Sequence, residues 1–335
     1  MLLPFVSIIL PVRNEERFIS QCLEQLRAQS YPHDRMEVVV ADGQSSDGTV
    51  QLIQTCSLGT IAVRLVRVAS LGRPQGLNAA IGASKGDVIL RLDARTRIEP
   101  DYINKCVQTL MQSGADNVGG RQVPLWMTLK QRAIGLALSH PFGVGNARFR
   151  LGGKSGTVDT VYLGCFWRRV FEKIGLFDET ASVISEDSDL NQRILNAGGK
   201  VYYNHKISAY YYPRNTFRDQ WRVYFRYGGA RAGNLLKHKR LTSWRQLVPP
   251  IFCCANLFSA LLVLVHPIFL AILAGVDLAY VVANTFVSAR LAYTHRNAAL
   301  FPLLWVAFPC MHMAWGMGFW KRLLVPERAG RYWPN

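Results

Sequence analysis

The sequence predicts an α/β fold: a mostly parallel sheet flanked by helices, followed by C-terminal membrane helices. Over the first 120 residues, short apolar runs alternate with helical periodicity, which is typical of a parallel sheet covered by helices. In the last third, residues 246–289 contain one formally charged side chain, Asp277, and residues 297–320 contain none. Since a span needs about 20 apolar residues, the first run could supply two spans and the second run one.

The elements are predicted in chain order from these patterns. Strands are expected at Val6–Pro11, Glu37–Ala41, Ile61–Val68, Asp87–Leu92 and Thr160–Phe166. Helices are expected at Glu16–Gln29, Thr49–Cys56, Gly76–Ser84, Asp101–Gln112 and 186–197, the last between a Ser185 N-cap and a Gly198 stop. Residues 113–160, rich in glycine and basic residues, are expected to form a mobile crossing loop.

The positive charge of the chain lies mainly in front of its apolar third. The net charge is +17, and residues 200–250 contain eleven lysines and arginines against one acidic residue. This placement suits anionic headgroups or a lipid diphosphate, and nucleic acid is not expected as a partner. Seven cysteines without a C-x-x-C pair fit a reducing compartment and no zinc site. The first residues make a poor signal peptide, so we expect the catalytic part in the cytoplasm.

Candidate binding residues follow the predicted strands, where ligands bind in parallel sheets. Asp42 ends the second strand, and its carboxylate could accept a base N–H or a ribose hydroxyl, or could serve the turn; for Asp47 the turn role is expected. Asp93 ends the fourth strand, and two residues later Arg95 occupies the place where a metal-using enzyme would have a second carboxylate. Arg73 precedes that strand and matches phosphate oxygens, although a loop arginine is more often only solvated.

The stretch SEDSDL (185–190) is the candidate catalytic element. Glu186 and Asp187 fall in the first turn of the predicted helix, where the helix dipole favours ionised carboxylates. A general base must be ionised at the working pH, so this position suits one. The alternative is the ordinary acidic composition of a helix start. Asp189 and Arg193 are expected to form a structural i,i+4 pair.

The stretch PRNTFRDQWRVYFRYG (213–228) predicts a basic-aromatic interfacial helix over 213–240. Residues recurring at every fourth position are Arg214, Arg218, Arg222 and Arg226, and also Phe217, Trp221 and Phe225. Such a face suits an anionic membrane surface. An amphipathic helix docked on the catalytic domain is the alternative, in which Gln220, Arg222 and Arg226 face the active site.

With these features in place, the chain resembles glycosyltransferase family 2 enzymes of the GT-A (nucleotide-diphospho-sugar transferase) fold. Among them it most resembles the membrane-associated enzymes of succinoglycan-type exopolysaccharide biosynthesis. The matching stretches are SIILPVRNEE, VVVADGQSSDGT, LNAAIGASKGDVILRLDA, YLGCFWRRVFEKIGLFDE, SEDSDLNQRILNAGGKV and QWRVYFRYG. We therefore expect a catalytic domain over 1–235 and a membrane-embedded region of two to three spans over 246–335, in a bacterial inner (cytoplasmic) membrane.

The resemblance also implies roles for single residues. The residues that it places on the nucleotide-sugar are Pro11, Glu15, Asp42 and Asp93. Arg73 and Arg95 are expected there because of their charge, although Arg95 could instead be turned to solvent. Asp93 would match the first carboxylate of an Asp-x-Asp element and could hold Mg2+ or Mn2+, a metal that Arg95 makes doubtful. Asp187 would deprotonate the acceptor hydroxyl, which gives inversion at the anomeric carbon. Gly164 would shape the sugar and acceptor side. Gln220, Arg222 and Arg226 are expected on the acceptor or membrane side from their pattern in the predicted helix.

The implied reaction is transfer of a sugar, glucose by preference, from a UDP-sugar to a polyprenyl-diphosphate-linked oligosaccharide. The Gln-x-x-Arg-Trp element of processive synthases is absent, which favours the addition of one sugar. The alternatives are a polyprenyl-monophosphate sugar synthase of the dolichyl-phosphate-mannose type and a non-catalytic membrane scaffold. No G-x-G-x-x-G follows the first strand, which speaks against a nicotinamide dehydrogenase.

The number of spans stays open in the sequence. A third straight span over 297–320 would place a set of basic residues outside, against the positive-inside tendency. These residues are Lys321, Arg322, Arg328 and Arg331. A kinked, re-entrant or in-plane segment, interrupted by Pro302 and Pro309, is the alternative.

Overall fold

A computed structural model describes residues 3–69, 72–180, 186–240 and 243–325 of the chain. Its packing divides the chain into two compact units. The first is built from Met1–Val123 and Gly152–Tyr211, and the second from Pro124–Leu151 and Tyr212–Glu327. Among the predicted features, Ser185, Arg328 and Arg331 lie outside the described residues.

The first unit alternates strands and helices. Its strands are β1 (Val6–Val12), β2 (Met36–Asp42), β3 (Ala62–Arg67), β4 (Val88–Arg91), β5 (Arg97–Ile98), β6 (Asn117–Pro124), β7 (Gly156–Thr157), β8 (Tyr162–Trp167) and β9 (Val201–Tyr211). Its helices are α1 (Glu16–Arg27), α2 (Thr49–Thr55), α3 (Arg73–Ala83), α4 (Tyr102–Ser113), α8 (Arg168–Ile174) and α9 (Glu186–Asn196).

The strands form one mixed sheet in the order β3-β2-β1-β4-β8-β6-β9-β5, with β7 paired to β9. The first four strands are parallel, while β8 runs antiparallel to both β4 and β6, and β9 is antiparallel to β5 and β7. All residues of β1, β2 and β4 are buried, as expected for central strands of a sheet covered on both faces. The predicted α/β fold with helix-flanked strands is confirmed, and its parallel part is the half that begins the chain.

The predicted mobile loop over 113–160 is wrong. The structure has β6 there, followed by three helices, α5 (Leu129–Leu138), α6 (Pro141–Val144) and α7 (Arg148–Leu151). Glycines in β6 concealed the strand from the sequence pattern. A Cβ at Gly120 would collide with the backbone carbonyl oxygen of Ile207, so the close approach of β6 to β9 requires glycine there.

The second unit contains α5, α6, α7 and four longer helices. These are α10 (Phe217–His238), α11 (Val248–Leu262), α12 (Ile268–Thr294) and α13 (Leu300–Leu324). Three helices of the described chain are long and apolar enough to cross a membrane: Trp244–Leu262, Ile268–Thr294 and Leu300–Leu324. By packing, α10 belongs with these helices. The predicted functional boundary at residue 235 stays a prediction.

Candidate active site

The carboxyl ends of β1, β2 and β4 lie side by side in the first unit. Val12 pairs with Asp42 across β1 and β2, and Ile9 pairs with Arg91 across β1 and β4. Asp42 is buried, and both of its carboxylate oxygens accept the backbone N–H of Ser45, at 3.2 and 3.3 Å. The turn role that the sequence left open is therefore present, and the role of Asp42 on the nucleotide stays a prediction.

Hydrogen bonds join the loop after β1 to the loop after β2. The backbone N–H of Asn14 donates to Ser45 Oγ at 2.9 Å, and Asn14 Oδ1 accepts the N–H of Ser46 at 2.8 Å. The N–H of Glu15 donates to Thr49 Oγ1 at 2.8 Å. Asn14 has a φ of 53°, a left-handed conformation that asparagine tolerates better than most residues. The two loops thus form one rigid edge beside Asp42.

Asp47 has the structural role expected of it. Its Oδ1 accepts the backbone N–H of Thr49 at 3.1 Å, and its Oδ2 accepts the N–H of Glu16 at 3.3 Å. Burial would raise the pKa of Asp47, but the hydrogen bonds from Thr49 and Glu16 outweigh it and hold the pKa below its usual value. Asp47 is therefore an ionised cap of the loop.

Arg95 is tied to Glu15. Its Nε donates to the two carboxylate oxygens of Glu15 at 3.0 and 2.8 Å, and its guanidinium lies 5.2 Å from the ring centre of Phe18. Burial raises the pKa of Glu15, opposed by the hydrogen bond and the charge of Arg95. The Arg95 side chain is still 49% exposed. Two residues predicted to contact the nucleotide-sugar are therefore brought together as an ion pair.

A buried arginine that the sequence analysis did not single out organises the centre of the site. Arg91, at the end of β4, is 2% exposed and contacts three carboxylates. Its Nε donates to Asp93 Oδ1 at 3.1 Å, its Nη2 donates to Glu186 Oε1 at 3.0 Å, and its Nη1 donates to Asp187. Arg73 Nη1 approaches the same Glu186 oxygen at 3.5 Å. We call these five residues the Arg91 cluster.

The cluster unites β4 with the start of α9, although Arg91 and Glu186 are 95 residues apart in sequence. The signal that could have found it is an arginine inside the apolar strand VILR, all of whose residues are buried. Arginine is almost never fully buried unless it is paired. A buried arginine next to Asp93 therefore predicts acidic partners elsewhere in the chain.

The Arg91 cluster perturbs the pKa values of its carboxylates in opposite directions. For Asp93, burial would raise the pKa, but the charges of Arg91 and Arg73 outweigh it and hold the pKa below its usual value. For Asp187, burial raises the pKa to about 7; Arg91 opposes the shift, while the charges of Glu186 and Asp93 add to it. Three carboxylates share two guanidinium groups, so one carboxylate lacks a full counter-charge.

The Asp187 carboxylate also remains accessible. Its side chain is 32% exposed, whereas Glu186 beside it is buried. An accessible carboxylate whose pKa lies near neutrality has the protonation behaviour of an efficient general base. The arrangement can therefore accept a proton from a hydroxyl that reaches Asp187, with Glu186 serving to hold Arg91 and Arg73.

Two further predicted residues lie in the sheet. Pro11 is buried in β1, opposite Ala41. Gly164 in β8 has a φ of 102°, and a Cβ there would lie 2.6 Å from the Phe166 ring, so only glycine suits the position. Because Leu90 pairs with Cys165, Gly164 falls one residue further along, towards the end of β4 that carries the Arg91 cluster.

The remaining predicted residues belong to the second unit. Gln220 is buried on α10, whereas Arg222 and Arg226 are exposed on it. Arg222 pairs with Asp219 at 3.3 Å. Two positions along a helix are about 200° apart at roughly 100° per residue, so Gln220 and Arg222 lie on opposite faces. Their shared role on the acceptor or membrane side stays a prediction.

Asp93 is the residue that the sequence predicts to hold a divalent metal. No group of three His, Cys, Asp or Glu side chains in the described part of the chain could hold a metal ion. Asp93 is ionised and 29% exposed, with Oδ1 engaged by Arg91. Because Mg2+ commonly binds one or two carboxylates together with substrate phosphates, the donor set fits a Mg2+ or Mn2+ ion carried mainly by a diphosphate.

Comparisons with known proteins place the chain among glycosyltransferases. The model of the family "Glycosyl transferase family 2" matches residues 7–175. The succinoglycan biosynthesis protein ExoA of Rhizobium meliloti is 30% identical over 331 residues, which cover 95% of this chain and 94% of that protein. A dolichyl N-acetyl-α-D-glucosaminyl phosphate 3-β-D-2,3-diacetamido-2,3-dideoxy-β-D-glucuronosyltransferase of Methanococcus voltae is 23% identical over 96% of this chain and 97% of that protein.

A solved structure of a mannosyltransferase is similar over almost the whole chain. It is the mannosyltransferase PcManGT of Pyrobaculum calidifontis, in complex with GDP-Man and Mn2+. The TM-score is 0.65, the sequences are 18% identical, and the match covers 98% of this chain and 89% of that one. At this identity the likeness concerns the fold, and it confirms the predicted GT-A architecture.

Proposed function

We propose, from the premise that the chain belongs to glycosyltransferase family 2, that it transfers one sugar, glucose, from a UDP-sugar to a polyprenyl-diphosphate-linked oligosaccharide. The observation that carries the proposal is the Arg91 cluster, which holds an accessible Asp187 carboxylate beside Asp93. Similarity over nearly the full length of a succinoglycan biosynthesis protein supports exopolysaccharide assembly as the setting. The name of the Methanococcus voltae relative describes transfer to a sugar on a dolichyl phosphate, which supports a lipid-linked sugar as acceptor.

In the proposed reaction Asp187 is the general base. Its carboxylate takes the proton of an acceptor hydroxyl while the hydroxyl oxygen forms a bond to the anomeric carbon of the donor. The bond from that carbon to the diphosphate breaks, and UDP leaves with the bonding electron pair. Because attack and departure occur on opposite faces, an α-linked donor gives a β-linked product.

The other residues of the cluster position this base. Arg91 bonds to Asp187, Glu186 and Asp93 at once, so it fixes the base relative to the donor side of the site. Asp93 is the residue that would hold Mg2+ or Mn2+, an ion that offsets the negative charge on a departing diphosphate. Arg73 is placed by its contact with Glu186 and is proposed to reach the diphosphate.

The nucleotide is proposed to bind at the edge formed by the loops after β1 and β2. Pro11, Glu15 and Asp42 lie there, and the hydrogen bonds between the two loops make the edge rigid. The exposed part of Arg95 is proposed to contact the diphosphate while Glu15 fixes its Nε. Gly164 is proposed to leave room for the sugar near the end of β4.

The proposed location is a bacterial inner membrane with the catalytic domain on the cytoplasmic side. Three apolar helices support membrane association, and the basic stretch before them supports contact with anionic headgroups. Arg222 and Arg226 are proposed to contact the headgroup or diphosphate of the lipid-linked acceptor, with Gln220 buried beneath them.

The test uses the full chain in nanodiscs with a panel of UDP- and GDP-sugars and an undecaprenyl-diphosphate-linked oligosaccharide. We expect release of UDP and a β-linked product by NMR coupling constants. Asp187→Asn should remove nearly all turnover while donor binding is retained, and Asp34→Asn, at an exposed position away from the cluster, is the matched control. Activity with a GDP-sugar alone, or an α-linked product, would contradict the proposal.

The Asp187→Asn variant also distinguishes the proposed activity from its closest alternative. A polyprenyl-monophosphate sugar synthase uses a lipid phosphate, which needs no general base, as acceptor. Nearly full activity of Asp187→Asn on undecaprenyl phosphate would establish that alternative. The non-catalytic scaffold considered from the sequence is set aside, because the chain is a glycosyltransferase.

A further inference from the structure

We propose that a basic cluster between α5 and the end of α12 binds the phosphate of an anionic phospholipid of the surrounding bilayer. Its residues are Arg132 and His140, from α5 and the segment that follows it, and Arg290 and His295, from the end of α12. We call these four residues the α5–α12 cluster. It lies within the second unit, and the proposal rests on the membrane association of that unit and not on the proposed reaction.

Helix α13 supports the α12 side of the cluster. Tyr280 Oη and His312 Nδ1 share a hydrogen bond of 2.8 Å, and further along α12 Asn284 Nδ2 donates to the carbonyl oxygen of Trp305 at 2.9 Å. Later residues of α12 thus contact earlier residues of α13, so the two helices are antiparallel. The end of α12, with His295 at its C-cap, therefore lies beside the start of α13.

Helix α5 packs on α13 and brings the other side of the cluster to the same place. The ring centres of His140 and Phe308 are 6.0 Å apart, and His312 Nε2 donates to the carbonyl oxygen of Phe142 at 2.9 Å. The two segments therefore advance in the same direction. Arg132 precedes His140 by eight residues, or about 12 Å at about 1.5 Å per residue, which places it near the start of α13 and the end of α12.

The charges of the cluster agree with this placement. Burial, and after it the charge of Arg132, lowers the pKa of His295. Burial, and after it the charge of Arg290, lowers the pKa of His140. Each imidazole thus lies near an arginine of the opposite element, and the neutral form is favoured. His140 Nδ1 accepts the backbone N–H of Phe142 at 3.1 Å, which leaves its Nε2–H as a donor for an anion.

The positive charge of the cluster is not offset within the second unit. The acidic residues among the described residues of that unit are Asp219 and Asp277. Asp219 is bonded to Thr216 and Arg222 on α10. Asp277 precedes Arg290 by 13 residues on α12, which is about 20 Å along the helix. An anion from outside the unit is therefore the complementary partner of the cluster.

Arg132 also has a hydrogen-bond donor without an acceptor. Its Nε is buried and has no partner among the described residues, while its guanidinium lies 5.7 Å from the ring centre of Trp126. A buried donor that makes no hydrogen bond is unfavourable. The oxygens of a phosphate match the fork of a guanidinium and form charge-assisted hydrogen bonds with it. A phosphate therefore fits both the charge and the donors of the cluster.

The surroundings of the cluster favour a phosphate carried by a lipid over a soluble one. Arg290 lies near the end of a helix that is apolar enough to cross a membrane, and its own side chain is exposed. Phe286 and Tyr293, on either side of it in sequence, are 65% and 86% exposed. Tyrosine and arginine at the end of an apolar helix mark headgroup level, and basic pockets beside such helices bind anionic headgroups.

The test is lipid binding by the full chain in detergent, titrated with phosphatidylglycerol or phosphatidylcholine and measured by native mass spectrometry. The double variant Arg132→Gln/Arg290→Gln removes both arginines of the cluster. The matched control Lys130→Gln/Arg240→Gln removes two exposed charges elsewhere in the second unit, and Lys130 lies about 200° around α5 from Arg132. We expect phosphatidylglycerol to bind the double variant about 30-fold more weakly, from the usual contribution of a cation near an anionic surface, counted twice. Phosphatidylglycerol binding by the control, and phosphatidylcholine binding by all variants, should stay as in the wild type.

The single variant Arg290→Gln, at an exposed position, keeps the test independent of the packing around Arg132. We expect its affinity for phosphatidylglycerol to fall about 5-fold, the effect of one such cation. Equal losses in the double variant and the control would overturn the proposal, because they indicate diffuse attraction. Displacement of phosphatidylglycerol by undecaprenyl diphosphate, bound more tightly through the same two arginines, would also overturn it and would assign the cluster to the acceptor.

Discussion

Replacement of Arg91 by methionine would leave three carboxylates around a neutral side chain. Arg91 is 2% exposed, and among its partners Glu186 is buried. Removing one partner of a buried ion pair costs about 3–5 kcal/mol, because the other charge stays buried without compensation. Arg73 remains 3.5 Å from Glu186 and offsets part of this loss. We therefore expect the free energy of unfolding of Arg91→Met to fall by about 3 kcal/mol, the lower end of that range.

The variant Arg91→Lys tests whether the positive charge alone is enough or whether the planar guanidinium is needed. Lysine restores a cation, but a compact ammonium cannot reproduce the planar fork that bonds to three carboxylates at once. The base would then be displaced from its position, and a misplacement of about 1 Å can cost about 100-fold in rate. We expect kcat to fall by about this factor, with the KM for the donor changed little and most of the stability restored.

The assay is denaturant unfolding of the purified chain together with kcat and KM from UDP release. Arg67→Met, at an exposed position on β3, is the matched control and should leave both properties unchanged. Wild-type kcat in Arg91→Lys would refute the positioning role of the fork. Wild-type stability in Arg91→Met would refute the argument from burial.

Three further predictions follow from the site. First, because burial raises the pKa of Asp187 to about 7, activity should fall as pH drops through neutrality, and the acid limb should be measurable in the kcat profile. A raised pKa also means that ionisation of Asp187 lowers the stability of the folded state as pH rises towards 8. Asp187→Asn should therefore be more stable relative to wild type at pH 8 than at pH 5 in denaturant unfolding, and a difference independent of pH would contradict this. Second, Gly120→Ala should lower the free energy of unfolding by about 1–3 kcal/mol, the usual cost of overpacking, because its Cβ meets the Ile207 carbonyl. A wild-type unfolding midpoint would contradict it. Third, Arg95→Ala should raise the Kd for the donor, measured by isothermal titration, while circular dichroism shows that the fold is retained. Unchanged donor affinity would show that Arg95 serves only Glu15.

The parts of the fold that the sequence predicted depend on local patterns. The apolar runs of β1, β2 and β4 and the polar residues at their ends are local signals, and they placed Asp42 and Asp93 at the same edge of the sheet, with β1 between their strands. The strand β6 was missed because it contains glycines, which are uncommon in strands. Gly120 is needed because the backbone of Ile207 in β9, far along the chain, leaves no room for a side chain. A contact between residues so far apart in sequence cannot be predicted from local composition.

The faces of α10 show the same limit within one helix. The four-residue recurrence of arginines predicted an exposed basic face, and the structure has Arg218, Arg222 and Arg226 exposed. The same recurrence starting from Gln220 marks a second, buried face, which the sequence did not distinguish because Gln220 is itself polar. Its partner is α13, and only the packing of the second unit reveals that.

Two arginines lie close to Asp93 in the sequence, Arg91 before it and Arg95 after it, and their surroundings differ. Arg95, after Asp93, is half-exposed and bonded to Glu15, and its role on the donor is a proposal. Arg91, before Asp93, is buried and bonded to Asp93 and Asp187 together, so it links these two carboxylates. A cation bound to the free oxygen of Asp93 would weaken the hold of that carboxylate on Arg91. Arg91 would then stabilise the ionised form of Asp187 more strongly, so we expect donor binding and ionisation of the proposed base to be coupled.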